Sequence, residues 1–474
     1  MTPAIRIKKK LLFTAMALGI LVVVPITLLE LILLASGWQP PGETKDPFLA
    51  FVGDQKLFHL SEDRQFFEIK ESRMGYFRPA RFLAKKRTGS LRIFVIGGST
   101  VQGRPWETET AFPKWLELCL QAIDPGRPVE VINCGGVSYA SYRLSLIVDE
   151  VIQYSPDMII LCTGHNEFLE ERTYAQVSQL PAWIVHSHSI LSRLKSYQWV
   201  RSLLLFDEPS NNFPTTTMGE NLITKLDFEN GLSLFDESKL QREQVAQHFR
   251  FNVARMIKAA TNEEVPILIL APPSNQKDCF PFKADSQWSV DRQSPYSESS
   301  LDELQSIKEP ARADYYYFRG VRSMESGHWE KAKHDFNQAI ERDICPLRMP
   351  PALRRHLQDT VRLAQQTVGQ NWVMFVDLQE SFEQASPHRI VGDELLVDHV
   401  HPTISGHERI AKRIVSALQE CDWLNPDSEW PARFDAFKTM HMATLDFGYF
   451  QRGKDRLESV RKWARGNANQ PLKK

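Results

Sequence analysis

Apolar residues in this chain fall into short continuous runs that alternate with stretches of helical spacing. The clearest run, LRIFVIG at residues 91–97, ends in Gly97-Gly98 and then Ser99-Thr100. An apolar run closed by paired glycines predicts a buried, parallel-type strand followed by a tight turn. Phe112, Trp115, Leu116, Cys119, Leu120 and Ile123 then share one helical stripe. The rhythm repeats, with strands predicted at residues 129–133, 157–163, 266–271 and 372–378. Helices are predicted around 144–152 (with Ser141 as its cap), 244–260, 353–368 and 410–421. Five strand-like runs separated by helices predict an α/β fold, a parallel sandwich.

Two stretches break the rhythm. Residues 171–241 hold an apolar helical piece around 183–206 and a polar tract around 210–221. Such a connection reads as a lid, a substrate platform, a surface decoration or a helix resting on a membrane. Residues 274–351 contain YYYFRGVRSMESGHWEKAKHDFNQAIERD, where Tyr316, Gly320, Gly327, Trp329, Ala332, Phe336 and Ala339 fall at tetratricopeptide-repeat offsets. That pattern predicts two antiparallel helices that must dock on something, either as a plain hairpin or as a module for a protein partner. A half-match recurs in residues 443–464 through Gly448, Phe450, Gly453 and Trp463, within a helical extension predicted for 422–474. Residues 39–90 read as a polar neck whose phenylalanines pack it on the domain.

The front of the chain differs from the rest. Arg6, Lys8, Lys9 and Lys10 precede a run that is apolar from Leu11 to Trp38, broken by Pro25 and Glu30. About 20 apolar residues span a bilayer, and basic residues before them stay cytoplasmic. The expectation is a single-pass anchor with the remainder outside the cytoplasmic membrane, periplasmic or external. The competing reading is a cleaved signal peptide, but its apolar core is only about 7–15 residues. Leu34-Ala35-Ser36 is also a poor cleavage site. Glu30 would reach the interface or pair with another helix.

Composition adds bounds. Across 474 residues, 42% hydrophobic and 24% charged residues describe a folded protein, and a net charge of -1 gives no electrostatic case for nucleic acid. Of six cysteines, Cys119, Cys134 and Cys162 lie in predicted core elements, and Cys421 closes the last predicted helix. Cys279 and Cys345 flank one insertion and are candidates to pair. No metal-ligand spacing occurs among them.

In a parallel sheet, the turns after the strands open on one edge, so distant residues converge there. Those turns offer Ser99, the stretch 133–138, Asn166, and Asp398 with His401. They supply a hydroxyl nucleophile, an imidazole base, an orienting carboxylate and neutral donors for an oxyanion. A serine hydroxyl needs a base in hydrogen-bond reach, and imidazole suits neutral pH. Ser99 could instead merely cap a helix, and Asp398 could be a plain turn residue. His399 is the rival base.

The ordered set GGST, NCGG, GHNE and DHVHP resembles the conserved blocks of the SGNH/GDSL hydrolase superfamily over roughly residues 91–420. The resemblance implies a three-layer α/β/α sandwich with about five parallel strands. It implies Ser99 as nucleophile, His401 as base with Asp398 behind it, and Asn166 as a side-chain oxyanion donor. A block II backbone N–H would be the second donor, from Ser138 or, if the loop shifts, Gly136. Three departures stand out. Gly98 replaces a common Asp, Glu167 replaces the usual Asp after Asn166, and Ser138 stands where the family usually has Gly. The implied activity is ester hydrolysis with no metal or organic cofactor, on an acyl-ester substrate such as envelope carbohydrate or lipid. Two alternatives remain: acyl transfer to a sugar hydroxyl by the same triad, or an interaction protein on a retired hydrolase fold.

Overall fold

In the computed structural model, five apolar runs form strands of one sheet. The structure describes residues 21, 24–36, 56–169, 194–196, 199–200, 232, 235, 239–285, 294–308 and 310–464. The chain divides into two compact units, Met1–Gln55 with Ala175–Leu222, and Lys56–Tyr174 with Ile223–Lys474.

In the second unit, strands β1 (Phe58–Leu60), β2 (Phe66–Ile69) and β3 (Arg81–Leu83) make a small antiparallel sheet. Strands β4 (Leu91–Gly97), β5 (Val129–Gly135), β6 (Met158–Cys162), β7 (Ile267–Ala271) and β8 (Val373–Asp377) make a parallel sheet of order β5-β4-β6-β7-β8. All seven residues of β4 are buried, as a central strand covered on both faces requires. Ile93 and Val95 join a core with Phe112, Trp115 and Leu116 of helix Phe112–Ile123 and Ile410, Ile414 and Leu418 of helix Ile404–Glu420. Helices Ser141–Val151, Lys239–Asn262 and Pro351–Val368 pack successively on one another. Helices therefore flank the sheet.

The small sheet is a feature the sequence reading of the neck lacks. Phe58 and Phe82 stand edge-on to Phe94 at ring-centroid separations of 6.3 and 5.1 Å. The neck thus buries its aromatics on the far side of β4. Other differences are local. β5 runs on through Gly135, and Leu378 leaves the predicted strand to open helix Leu378–Ala385, capped by the Asp377 carboxylate. Ser141 is not a cap: the helix starts at Ser141 itself, and Glu167 accepts from its N–H and its hydroxyl.

Residues 313–342 form two helices, Ala313–Glu325 and Trp329–Arg342, joined by a short turn. Gly320 is where they approach, since a Cβ there would lie 3.1 Å from the Phe336 ring. All six cysteines are free thiols, so Cys279 and Cys345 are not paired. At the C-terminus, helices Trp430–Met442 and Phe447–Ala464 follow, with the Tyr449 hydroxyl 2.7 Å from that of Thr110.

In the first unit, Val24–Ala35 is an apolar helix. Among the described residues no helix is long and apolar enough to cross a membrane, and most of residues 11–23 lies outside them. Most of the lid-like stretch 171–241 also lies outside the described residues.

Candidate active site

The strand order places a topological switch beside β4, because the chain leaves β4 for β5 on one side and returns to β6 on the other. Loops after β4 and β6 therefore part at their carboxyl ends and leave a crevice. Ser99 follows β4 and Asn166 follows β6. Gly98 is the N-cap of the short helix Ser99–Gln102, and no side chain caps it. The Ser99 hydroxyl instead lies 2.8 Å from His401 Nε2, across 302 positions of sequence.

His401 is held from behind. Its Nδ1 is 2.6 Å from Asp398 Oδ2, so Nδ1 carries the proton toward the carboxylate and Nε2 is left to accept. The other carboxylate oxygen, Oδ1, accepts from the N–H groups of Val400 and His401 at 2.9 and 2.8 Å. The loop is pinched by Val397 N–H to His401 O and Thr403 N–H to Leu395 O. Three residues of separation suffice because the carboxylate folds its own loop around itself. Burial alone would raise the Asp398 pKa. The facing imidazoles of His401 and His399, with the hydrogen bonds from His401, outweigh burial and hold it well below the usual carboxylate range.

His399 does not face the serine in this way. Its Nδ1 is 3.5 Å from Asp398 Oδ1, its ring meets Phe282 edge-on, and burial pushes its pKa down to about 4.

The block II loop sorts its own donors. Gly136 N–H donates to Gly97 O, Val137 N–H to Tyr76 O and Tyr139 N–H to Gly136 O. Gly136 is therefore spent as an oxyanion donor. Ser138 N–H has no protein partner among the described residues. Ser138 adopts φ 61, in the left-handed region that favours glycine and costs other residues about 1–2 kcal/mol. Asn166 Nδ2 gives one proton to Tyr139 O at 3.0 Å and keeps the second. Glu167 anchors this loop, fully buried, taking hydrogen bonds from Ser141 and Thr163.

A Cβ on Gly98 would come within 2.6 Å of Asn166 Nδ2. The glycine thus makes room for the amide. If Asn166 donates to an oxyanion, Asn166→Ala lowers kcat by about 10²–10³-fold with little change in KM. Gly98→Ala should act in the same direction by displacing that amide. Steady-state kinetics on an aryl acetate check both, and an unchanged kcat for Asn166→Ala removes it from the site.

Two side chains escape the sequence reading. Asn275, at the carboxyl end of β7, donates to Asp398 O at 3.2 Å and to Asp393 Oδ1, and its N–H donates to His399 O. Its place in the turn after β7 was the available signal. His165 accepts from Met349 N–H through Nδ1 and ties the block III loop to the root of the second insertion. Nothing local in GHNE announces that long-range contact.

No protein-family model matches the chain, and no curated protein matches it. Among solved structures it is similar to Axe2, an acetylxylan esterase from Geobacillus stearothermophilus. That match has 14% identity over 72% of this chain and 99% of the other, at a TM-score of 0.34. It is also similar to LAE5, an alpha/beta hydrolase enzyme from the metagenome of Lake Arreo, Spain, at 12%, 71%, 98% and 0.33 in the same order. A third is BT4096, a gut microbial diltiazem-metabolizing enzyme, at 11%, 71%, 48% and 0.33. At such values these likenesses speak to neither activity nor substrate, which must come from the side chains themselves.

Proposed function

We propose that this chain is an SGNH-type serine ester hydrolase, anchored to the cytoplasmic membrane with its catalytic unit outside. The observation that carries the reading is the continuous relay from Ser99 Oγ through His401 to Asp398, at 2.8 and 2.6 Å. Ser99 Oγ attacks the ester carbonyl while His401 Nε2 takes its proton. Asp398 stabilises the imidazolium that forms. The N–H groups of Ser99 and Ser138 and the free Asn166 amide proton receive the oxyanion. Collapse expels the alcohol, which takes the proton from His401. Water, deprotonated by the same imidazole, then releases the acyl group.

Acyl transfer to a sugar hydroxyl uses every one of these steps but the last. Envelope carbohydrate or lipid is the substrate class that an extracytoplasmic site would meet. An active-site fluorophosphonate applied to the full chain should label wild type and not Ser99→Ala. Absence of labelling in correctly folded wild type would sink the enzyme reading. Acetyl release measured with and without an acceptor oligosaccharide separates hydrolysis from transfer.

A further inference from the structure

Two half-buried arginines near the nucleophile have no counter-charge among the described residues. Arg104 follows the short helix Ser99–Gln102, and its N–H donates to Ser99 O at 3.1 Å. Arg78 lies in the neck beside the block II loop. Its neighbour Tyr76 O accepts from Val137 N–H, and the Phe77 ring stands edge-on to Tyr139 at 4.8 Å. Gln102 ties the two segments together, its Nε2 donating to Tyr76 O at 2.6 Å and to Gly135 O at 3.3 Å. Both arginines therefore stem from backbone packed around the loops that carry Ser99 and Ser138.

Neither guanidinium makes an ion pair or a hydrogen bond among the described residues, and the Nε of each is buried. Trp106 Nε1, two residues beyond Arg104, is also buried without an acceptor. Burial first, then the like charges of Arg78 and Arg456, pulls the Arg104 pKa down to about 10, so it keeps its proton at neutral pH. Arg456 is answered by its ion pair with Glu107, and it donates to Pro105 O and Trp106 O. Arg78 and Arg104 are left over.

Charges withdrawn from water are ordinarily paired, and an unpaired one costs stability. The unpartnered atoms of Arg78, Arg104 and Trp106 are all donors, since neither a guanidinium nor an indole N–H can accept. A ligand group that only accepts, and brings negative charge, satisfies them. The planar fork of arginine matches carboxylate and phosphate oxygens. A neutral hydroxyl would leave both charges unanswered.

We propose that Arg78 and Arg104 form an anion subsite beside the Ser99 centre, which takes a carboxylate or phosphate group of the substrate. This rests on the ester-hydrolase reading and narrows its substrate to an ester that carries its own negative charge. For an acetyl ester that charge sits on the alcohol part.

The test uses the full chain in detergent and a phosphate-free buffer. Glucuronate and inorganic phosphate should raise the melting temperature of wild type, and Arg78→Gln and Arg104→Gln should lose that shift. Sodium chloride at equal ionic strength should not reproduce it; if it does, the subsite is overturned. Without ligand, Arg104→Gln should melt no lower than wild type, because it relieves a repulsion. A lower melting point with the anion shift retained makes Arg104 a packing residue and overturns the subsite. In turnover, acetylated glucuronate or acetylated glucose 6-phosphate should exceed acetylated glucose in kcat/KM by about tenfold or more, through KM. Whichever charged ester is preferred tells carboxylate from phosphate. Arg104→Gln should erase that ratio, and Arg104→Lys, which keeps the charge but not the fork, should retain part of it. Equal kcat/KM for charged and neutral esters overturns the subsite and leaves the hydrolase reading standing. No fluorophosphonate label and no cleavage of any ester overturns the hydrolase reading, and the melting shift then decides the anion site by itself.

Discussion

Replacing His401 with alanine is expected to lower kcat for ester hydrolysis by about 10⁶-fold, and Asp398→Asn by about 10⁴-fold. The first removes the only imidazole nitrogen hydrogen-bonded to the Ser99 hydroxyl among the described residues. The second keeps the shape of the loop but takes away the charge that favours the imidazolium and fixes its tautomer. On the triad reading the three groups act as one unit, so Ser99→Ala combined with His401→Ala should be no slower than either alone. A loss of less than tenfold in His401→Ala would place the base elsewhere, and His399 would be the first residue to examine. His399→Gln is the matched control, expected to act through the position of Asp398 rather than through proton transfer.

Stability should fall steeply as pH drops from about 6.5 toward 4. The imidazoles of His165, His399 and His407 are buried and held neutral, and that of His248 is half-buried. Burial pushes His248 and His399 down to about 4 and His407 to about 3, and carries His165 well below its ordinary value. In the unfolded chain each titrates near 6.5. Between those values the unfolded state binds more protons, so the stability these groups contribute is whole above pH 6.5 and is lost as pH falls. Each unit of depression is worth about 1.4 kcal/mol, and all four rings lose stability in the same direction across the window. Asp398 behaves differently. Its contribution is present above the ordinary carboxylate range and disappears only in stronger acid. Urea midpoints at pH 7.5, 6 and 5 check this, with an unchanged slope; a flat midpoint would mean these rings are wet.

The parallel sheet was legible because its strands are covered on both faces and read as unbroken apolar runs, as Leu91–Gly97 and Met158–Cys162 do. That Ser99, Asn166, Asp398 and His401 meet at one edge of the sheet was legible in the alternation of strands and helices. What stayed hidden depends on contacts between distant segments. β1–β3 are three or four residues each, too short for a period to declare itself, and exist because Phe58 and Phe82 find Phe94. The choice of Ser138 over Gly136 turns on a single carbonyl, that of Gly97. Ser141 carries the residue type of a cap, yet Glu167 reaches that helix end from β6's loop and takes the role.

Asn275 has a wider consequence. It begins the segment that carries the paired helices, and its amide grips the carbonyl of Asp398. Gln276 beside it reaches Asn337 on the second of those helices, and Lys277 O accepts from Tyr317 on the first. The paired helices are thus joined by hydrogen bonds, through three successive residues, to the loop that carries Asp398. On the triad reading, a displacement of that pair is expected to reach Asp398 through these bonds and to show in kcat.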